Sequence, residues 1–283
     1  MRGRGRWSLT LPGNRPSVAD DDQLRSEYVW RLVQETSSDT TPLSGAAIPR
    51  VIVQYWHDSK AVPDDVQSCL DSWSALADQG FVRRQFDDAT AREFIANEYA
   101  ETELQAFDRC PHPAMRCDYF RLCYIFRHGG FYVDADEVYQ GGDIKSWFRD
   151  EKLKIQPLCY EVPSGTMVPA HAFTTEEACS RERIYYVNNN PLIAPSAHPV
   201  IHLALKRSTR ILLSWSRGRF DIQSTTGPGN LTRSLVQHSA ARDVADSGRD
   251  FALLTGWDAV SISRWPLAYR SDERNWRLWR PPV

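Results

Sequence analysis

The sequence predicts an α/β layer fold with a largely parallel central sheet, and three observations predict it. β-Branched and aromatic runs alternate with helix-periodic segments from Ile48 onward, the pattern of strands joined by crossover helices. Gly and Pro punctuate the joints between them. One short apolar run, Phe131-Tyr132-Val133, delivers two aspartates, Asp134 and Asp136, into a Gly-rich turn, where open α/β sheets place their ligands.

The elements follow in order. Residues 1–46 are dominated by Gly, Pro, Ser, Thr and Asp and read as a flexible N-terminal extension with one short helix near Asp22 to Glu35. Residues 47–283 form the main domain. It opens with a buried strand, Val51 to Trp56, and a helix from Pro63-Asp64 to about Asp78 with Val66, Leu70, Trp73 and Ala77 on one face. A strand over Phe81–Phe86 precedes a helix capped by Asp88 or Thr90 and ending near Ala100, then a helix over Thr102–Phe107. The helix Pro113–His128 ends at Gly129-Gly130 and leads into the aspartate-bearing strand. Beyond it, strands are expected over Leu158–Val162 and Ile184–Ala194. A helix should cover Pro199–Ser216, with another after Pro228-Gly229, strand pieces near Phe251 and Val260, and a Trp-rich end.

Composition narrows the function classes. With 42% hydrophobic and 25% charged residues, the chain has the make-up of a soluble globular protein. A net charge of -2 gives no reason to expect a nucleic-acid partner, and Arg2, Arg4 and Arg6 read as a solvated tail. No run approaches the roughly 18 apolar residues of a membrane span, and no apolar stretch follows the basic start as a secretory signal would. The six cysteines (69, 110, 117, 123, 159 and 179) form no C-x-x-C pair, so reduced thiols in a cytoplasmic protein are expected.

The chemistry concentrates between Met115 and Gly142. On a strand, residues two apart share a face, so Asp134 and Asp136 can converge on one site. Two hard oxygen ligands suit Mg²⁺ or Mn²⁺, which usually complete their shell with substrate phosphates. Glycines on both sides let the backbone turn tightly. Upstream, Asp118 and Arg121 lie three apart on one helix face. They suit either a plain ion pair or contacts to a sugar hydroxyl and a nearby phosphate.

The segment RCDYFRLCYIFRHGGFYVDADEVYQGG resembles the DXD sugar-binding region of a glycosyltransferase family that includes initiating α-1,6-mannosyltransferases, α-1,4-glycosyltransferases and the core of the clostridial glucosylating toxins. IPRVIVQYWHDSKAVPDDV is similar to that family's opening, and Thr226-Gly227-Pro228-Gly229-Asn230-Leu231-Thr232-Arg233 to its Gly-Pro-x-x-Leu-Thr-Arg segment. The resemblance implies a GT-A-like, Rossmann-type fold, a UDP- or GDP-sugar donor, a hydroxyl acceptor, retention of anomeric configuration and Mn²⁺ or Mg²⁺. It implies that Trp56 packs on the base, Asp118 and Arg121 contact the donor sugar, Asp134 touches ribose and sugar or a metal-bound water, and Asp136 binds the metal. Thr226, Gly227 and Pro228 should lie near the donor.

One departure stands out. The chain ends RSDERNWRLWRPPV, with Trp276 and Trp279 but without the nearby His of many relatives, leaving Asn230, Asp258 and Asp272 as substitutes for a further metal ligand. The polar stretch Pro163 to Arg183 has no counterpart and is expected on the acceptor side. Two other readings compete. A haloacid-dehalogenase-type phosphatase would use Asp134 as nucleophile, but needs a downstream Lys and a further acidic pair. A non-catalytic descendant would bind a nucleotide sugar without turning it over.

Overall fold

The computed structural model describes residues 17–35, 48–214, 221–242 and 249–279. The arginines at 2, 4 and 6 and the last two residues of the expected Pro199–Ser216 helix lie outside them.

The chain begins with α1 (Asp22–Gln34), N-capped by Asp21 accepting from the Leu24 N–H. The Rossmann-like half follows as β1 (Val51–Tyr55), α2 (Asp64–Ser72), β2 (Val82–Phe86), α3 (Asp88–Glu98), α4 (Glu101–Asp108), α5 (Pro113–His128) and β3 (Gly130–Tyr132). Then come β4 (Glu137–Tyr139), β5 (Leu153–Glu161), β6 (Thr166–Val168), α6 (Ala170–Phe173) and β7 (Arg183–Ala194). The remainder is α7 (Pro199–Ser214), α8 (Ile222–Thr225), α9 (Pro228–Ala240), β8 (Phe251–Leu253) and β9 (Ser261–Ser263).

Seven strands form the central sheet in the order β2-β1-β3-β7-β5-β6, with β8 on β5. Strands β1, β2, β3, β5 and β8 point one way and β6 and β7 the other, so the sheet is largely parallel with a reversed pair. The expected α/β class holds. Successive residues of β3 serve opposite faces: Tyr132 enters the larger core under the helices, Phe131 and Val133 a smaller one around Trp73 and Trp257.

Several elements differ from expectation for local reasons. Helix α2 stops at Ser72 and continues as a tighter 3-10 helix over Trp73–Gln79, ending at Gly80 with φ 83°. The cap of α3 is Asp87, whose carboxylate accepts from the Thr90 N–H while the Thr90 hydroxyl accepts from the Asp87 N–H. Strand β5 starts five residues before the expected Leu158. The buried Lys152 just before it and Lys154 near its start disguise a buried strand; Lys154 is neutralised by Asp150.

The helix expected within 1–46 forms, but as part of the core. Val29, Leu32 and Val33 are buried in the main cluster, the Ser26 hydroxyl accepts from the Tyr185 N–H at 2.9 Å, and Tyr28 donates to Ser239 at 3.0 Å. Val29, Leu32 and Val33 supply the apolar stripe, which the surrounding polar residues dilute in the sequence.

The joint between α5 and β3 sets the site. Pro113 occupies the first turn of α5, His112 caps it through Nδ1, and Gly129 ends it at φ 68°. A Cβ at Gly129 would lie 2.7 Å from the Ser196 nitrogen and 2.9 Å from the Ala194 oxygen. Gly129→Ala should therefore destabilise the fold by more than about 2 kcal/mol, combining a clash with a strained positive φ. Urea unfolding checks this, and a midpoint equal to wild type would contradict the tight joint.

Candidate active site

The carboxyl ends of β1 and β3, the middle of β5 and β7, and residues 257–277 enclose a cavity of about 640 Å³. Trp56, Asp118, Arg121, Asp134, Asp136 and Pro228 all line it. The strand arrangement explains why. β3 pairs antiparallel with β7, Tyr132 opposite Leu192, so the residues after β3 meet Asn190 and Asn189. The Asp134 N–H accordingly donates to Asn190 Oδ1 at 2.9 Å.

Arg121 is the centre of the site. Its side chain is 4% exposed, lies 4.2 Å over the Tyr132 ring, donates to the Asn189 carbonyl and to Asp134 Oδ1 at 2.8 Å, and is ion-paired to Asp118 Oδ1 at 2.9 Å. Burial works against its charge, yet Asp134, Asp118 and the neighbouring Tyr132 and Cys117 hold its pKa well above the ordinary value. Burial pushes Asp118 up, opposed by Arg121 and by donors from Asn189 at 2.8 Å and Thr226 at 3.3 Å. Burial also pushes Asp134 up to about 6, with Arg121 pulling it down and Asp136 adding repulsion.

Asp136 faces the opposite wall. Its Oδ2 accepts from the Tyr269 hydroxyl at 2.9 Å and is ion-paired to Arg270. These two residues reach it because β4, which starts one residue later, pairs antiparallel with β9, Glu137 opposite Ser263; the Arg264 N–H then donates to the Asp136 carbonyl at 2.8 Å. Tyr269 also packs edge-on against Trp56, centroids 5.3 Å apart. Trp56 is 7% exposed and its Nε1 donates to the Ala61 carbonyl, so its open face is largely covered by Tyr269.

Thr226 and Gly227 are placed behind the site. Thr226 is buried and donates to Asp118, and Gly227 leaves room for Asp118 Oδ2, which would lie 3.4 Å from a Cβ there. Both orient Asp118, while Pro228, first residue of α9, reaches the cavity wall. Of the substitutes for a C-terminal ligand, Asp258 lines the cavity and accepts from Gln156 at 2.8 Å. Asn230 is buried elsewhere against Ala204 and Ser208, and Asp272 pairs with Arg274. No group of three or more His, Cys, Asp or Glu able to hold a metal exists among the described residues. Two carboxylates nevertheless suffice for an ion that completes its shell with phosphates and water. Among the described residues, Asp134 Oδ2 and Asp136 Oδ1 accept no side-chain hydrogen bond, so the donor set fits in that limited sense.

Sequence reasoning missed Tyr269, Arg270, Asn189, Asn190 and Glu137. The asparagines carried a signal: Asn188-Asn189-Asn190 interrupts an apolar strand with residues that strands disfavour. Asn189 serves Asp118; Asn190 serves the Asp134 backbone and Glu137. Among the described residues that line the cavity there is no lysine.

Residues 59–153 match the family described as "Glycosyltransferase sugar-binding region containing DXD motif". Three relatives align over the same length scale. An uncharacterized glycosyltransferase, L373, of Acanthamoeba polyphaga mimivirus is 26% identical over 92 residues, covering 32% of this chain and 36% of the relative. An initiation-specific α-1,6-mannosyltransferase of Saccharomyces cerevisiae is 28% identical over 100 residues, 34% of this chain and 21% of the relative. Inositol phosphoceramide mannosyltransferase 3 of Schizosaccharomyces pombe is 33% identical over 95 residues, 32% of this chain and 25% of the relative. The matches thus span about a fifth to a third of those relatives' length. Among solved structures, the PaToxG glycosyltransferase covers 78% of this chain and 79% of its own, at 14% identity and a TM-score of 0.47. The resemblance read from the sequence holds for the block containing Asp118, Arg121, Asp134 and Asp136; Trp56 and Thr226-Gly227-Pro228 fall outside the matched residues.

Glu137 yields a pH prediction. It is 6% exposed, accepts from Asn190 Nδ2 at 3.1 Å and from Ser261, and burial pushes its pKa up to about 8. A carboxyl raised in the folded state favours folding while protonated, and that stability is lost as pH climbs from its ordinary value through about 8. The loss is roughly 1.4 kcal/mol per unit of that rise. Glu137→Gln should flatten this dependence, gaining in melting temperature over wild type at pH 8.5 compared with pH 5. Parallel pH profiles for the two proteins would refute the buried neutral carboxyl.

Proposed function

We propose that this chain, whose residues 59–153 carry the DXD-containing sugar-binding region of glycosyltransferases, moves a sugar from a UDP- or GDP-sugar to a hydroxyl acceptor. One observation carries the proposal: Arg121 ties Asp118 and Asp134 together on the wall of a cavity that Asp136 also lines. Asp118 is fixed by Arg121, Asn189 and Thr226 with lone pairs to spare for a sugar hydroxyl. Arg121 is a fixed positive charge in a site drier than bulk water, where it offsets the charge of the departing diphosphate. Trp56 and Tyr269 offer aromatic surface for a base once the donor enters.

Retention is part of the same proposal, following the family. The bond from the sugar's anomeric carbon to the diphosphate oxygen breaks as the acceptor oxygen bonds on the same face. The acceptor proton passes to the departing phosphate oxygen. A divalent ion on Asp136, within reach of Asp134, would supply Lewis-acid stabilisation of the leaving diphosphate. The stretch expected on the acceptor side contributes Met167, Val168, Pro169, Ala170 and Phe173 to the far wall, which makes that wall the proposed acceptor surface. The cytoplasmic setting is proposed on the same footing, from six unpaired cysteines.

A thermal-shift panel of UDP- and GDP-sugars with and without Mn²⁺ tests this. Two of the relatives are named mannosyltransferases, so mannose nucleotides belong in it. One donor at saturating excess should raise the melting temperature by about 5 °C or more, and Asp136→Asn should remove most of that rise while staying folded. If no nucleotide sugar stabilises the wild type under any condition, the donor-site assignment fails.

A further inference from the structure

The wall opposite Arg121 gathers three arginines, Arg270, Arg274 and Arg277, while its carboxylate Asp258 is hydrogen-bonded to Gln156 rather than ion-paired. Arg121 is matched by Asp118 and Asp134, Arg270 by Asp136, and Arg274 by Asp272. Arg277 also lines the cavity and pairs with no carboxylate among the described residues; its guanidinium lies 4.4 Å over Trp276 and 5.9 Å over Trp265. Arg270 is the better-built of the two. Its side chain is 9% exposed, its guanidinium rests 3.4 Å over the Trp265 ring, and its buried Nε has no hydrogen-bond partner. Arg121 Nε is unpartnered in the same way, so two arginines that line the cavity beside Asp134 and Asp136 keep donor capacity unused. An anion entering the cavity is the acceptor that suits these guanidinium groups.

The chemistry of that acceptor follows from its neighbours. Arg270 sits on Asp136, on the side where the diphosphate of a nucleotide sugar must lie if Asp118 and Arg121 hold the sugar. A planar guanidinium pre-oriented by an indole matches two phosphate oxygens at once. Its pairing with Asp136 keeps it in place and neutral overall until a stronger anion arrives. The same pairing places a tethered cation at the carboxylate where a divalent ion would otherwise be the main positive charge.

We propose that Arg270, seconded by Arg277, is the diphosphate anchor of this site, and that its grip on a nucleoside diphosphate persists without a divalent cation. The inference rests on the donor-site proposal above and adds a residue assignment to it.

The test measures UDP, UMP, GDP and GMP binding by titration calorimetry, each with EDTA and with Mn²⁺, on wild type, Arg270→Gln, Arg270→Lys and Arg277→Ala. Glutamine keeps a neutral donor for Asp136, and unfolding curves confirm that each variant is folded. In EDTA, wild type should prefer the diphosphate of its nucleotide to the monophosphate by about tenfold or more, the scale of one charge-assisted contact. Arg270→Gln should erase that preference while leaving the monophosphate within about twofold, Arg270→Lys should keep part of it, and Arg277→Ala should reduce it. The proposal is overturned if wild type shows no diphosphate preference in EDTA, or if Arg270→Gln retains it. Failure of all four nucleotides to bind wild type in either buffer would instead overturn the donor-site proposal beneath it.

Discussion

A single buried guanidinium organises this molecule. Arg121 lies where α5, β3 and β7 meet, and its charge is tolerable there only because two carboxylates, a backbone carbonyl and an aromatic face surround it. Removing one partner of such a cluster typically costs about 3–5 kcal/mol, because the others are left charged and dry. The constraint runs outward from there. Asp134 must stand at the end of β3, which requires the Gly129-Gly130 joint. Asp118 must stand one helical turn before Arg121, and Asn189 must point across from β7. Thr226 and Gly227 then have to pack close behind Asp118. Stability and site geometry are therefore one problem in this fold.

The parts of this that local chemistry dictates were legible in the sequence. Helix α5 runs over the predicted residues because Pro113 and Gly129 mark its ends and its apolar stripe has the right period. The resemblance of the block around the two aspartates pointed at Asp118, Arg121, Asp134 and Asp136, and all four line one cavity. The expected class of sheet follows from the same alternation of strands and helices. The helix within 1–46 was legible as a helix but not as a core element, because its partners Tyr185 and Ser239 are distant in sequence.

What stayed hidden depends on long-range pairing. Arg270 is 134 residues from Asp136, and the antiparallel β4–β9 pair, with Ala268 on Asp65 and Tyr269 on Trp56, brings them together. Neither three-residue strand has a length or periodicity that distinguishes it from a loop. Lys152 and Lys154 concealed the start of β5 because burial of a paired lysine breaks the usual rule. The C-terminal tail, legible only as lacking a histidine, turns out to place Tyr269 against Trp56 and Arg270 against Asp136. The cavity wall is thus built from two halves, one local and readable, the other assembled by tertiary structure.

The most direct measurement of the central claim is a crystal structure with a hydrolysis-resistant analogue of the nucleotide sugar that stabilises the protein. The account predicts sugar hydroxyls on Asp118, the diphosphate between Asp136 and Arg270, and the base beside Trp56. Clear ligand density away from the wall formed by Arg121, Asp134 and Asp136 would contradict it.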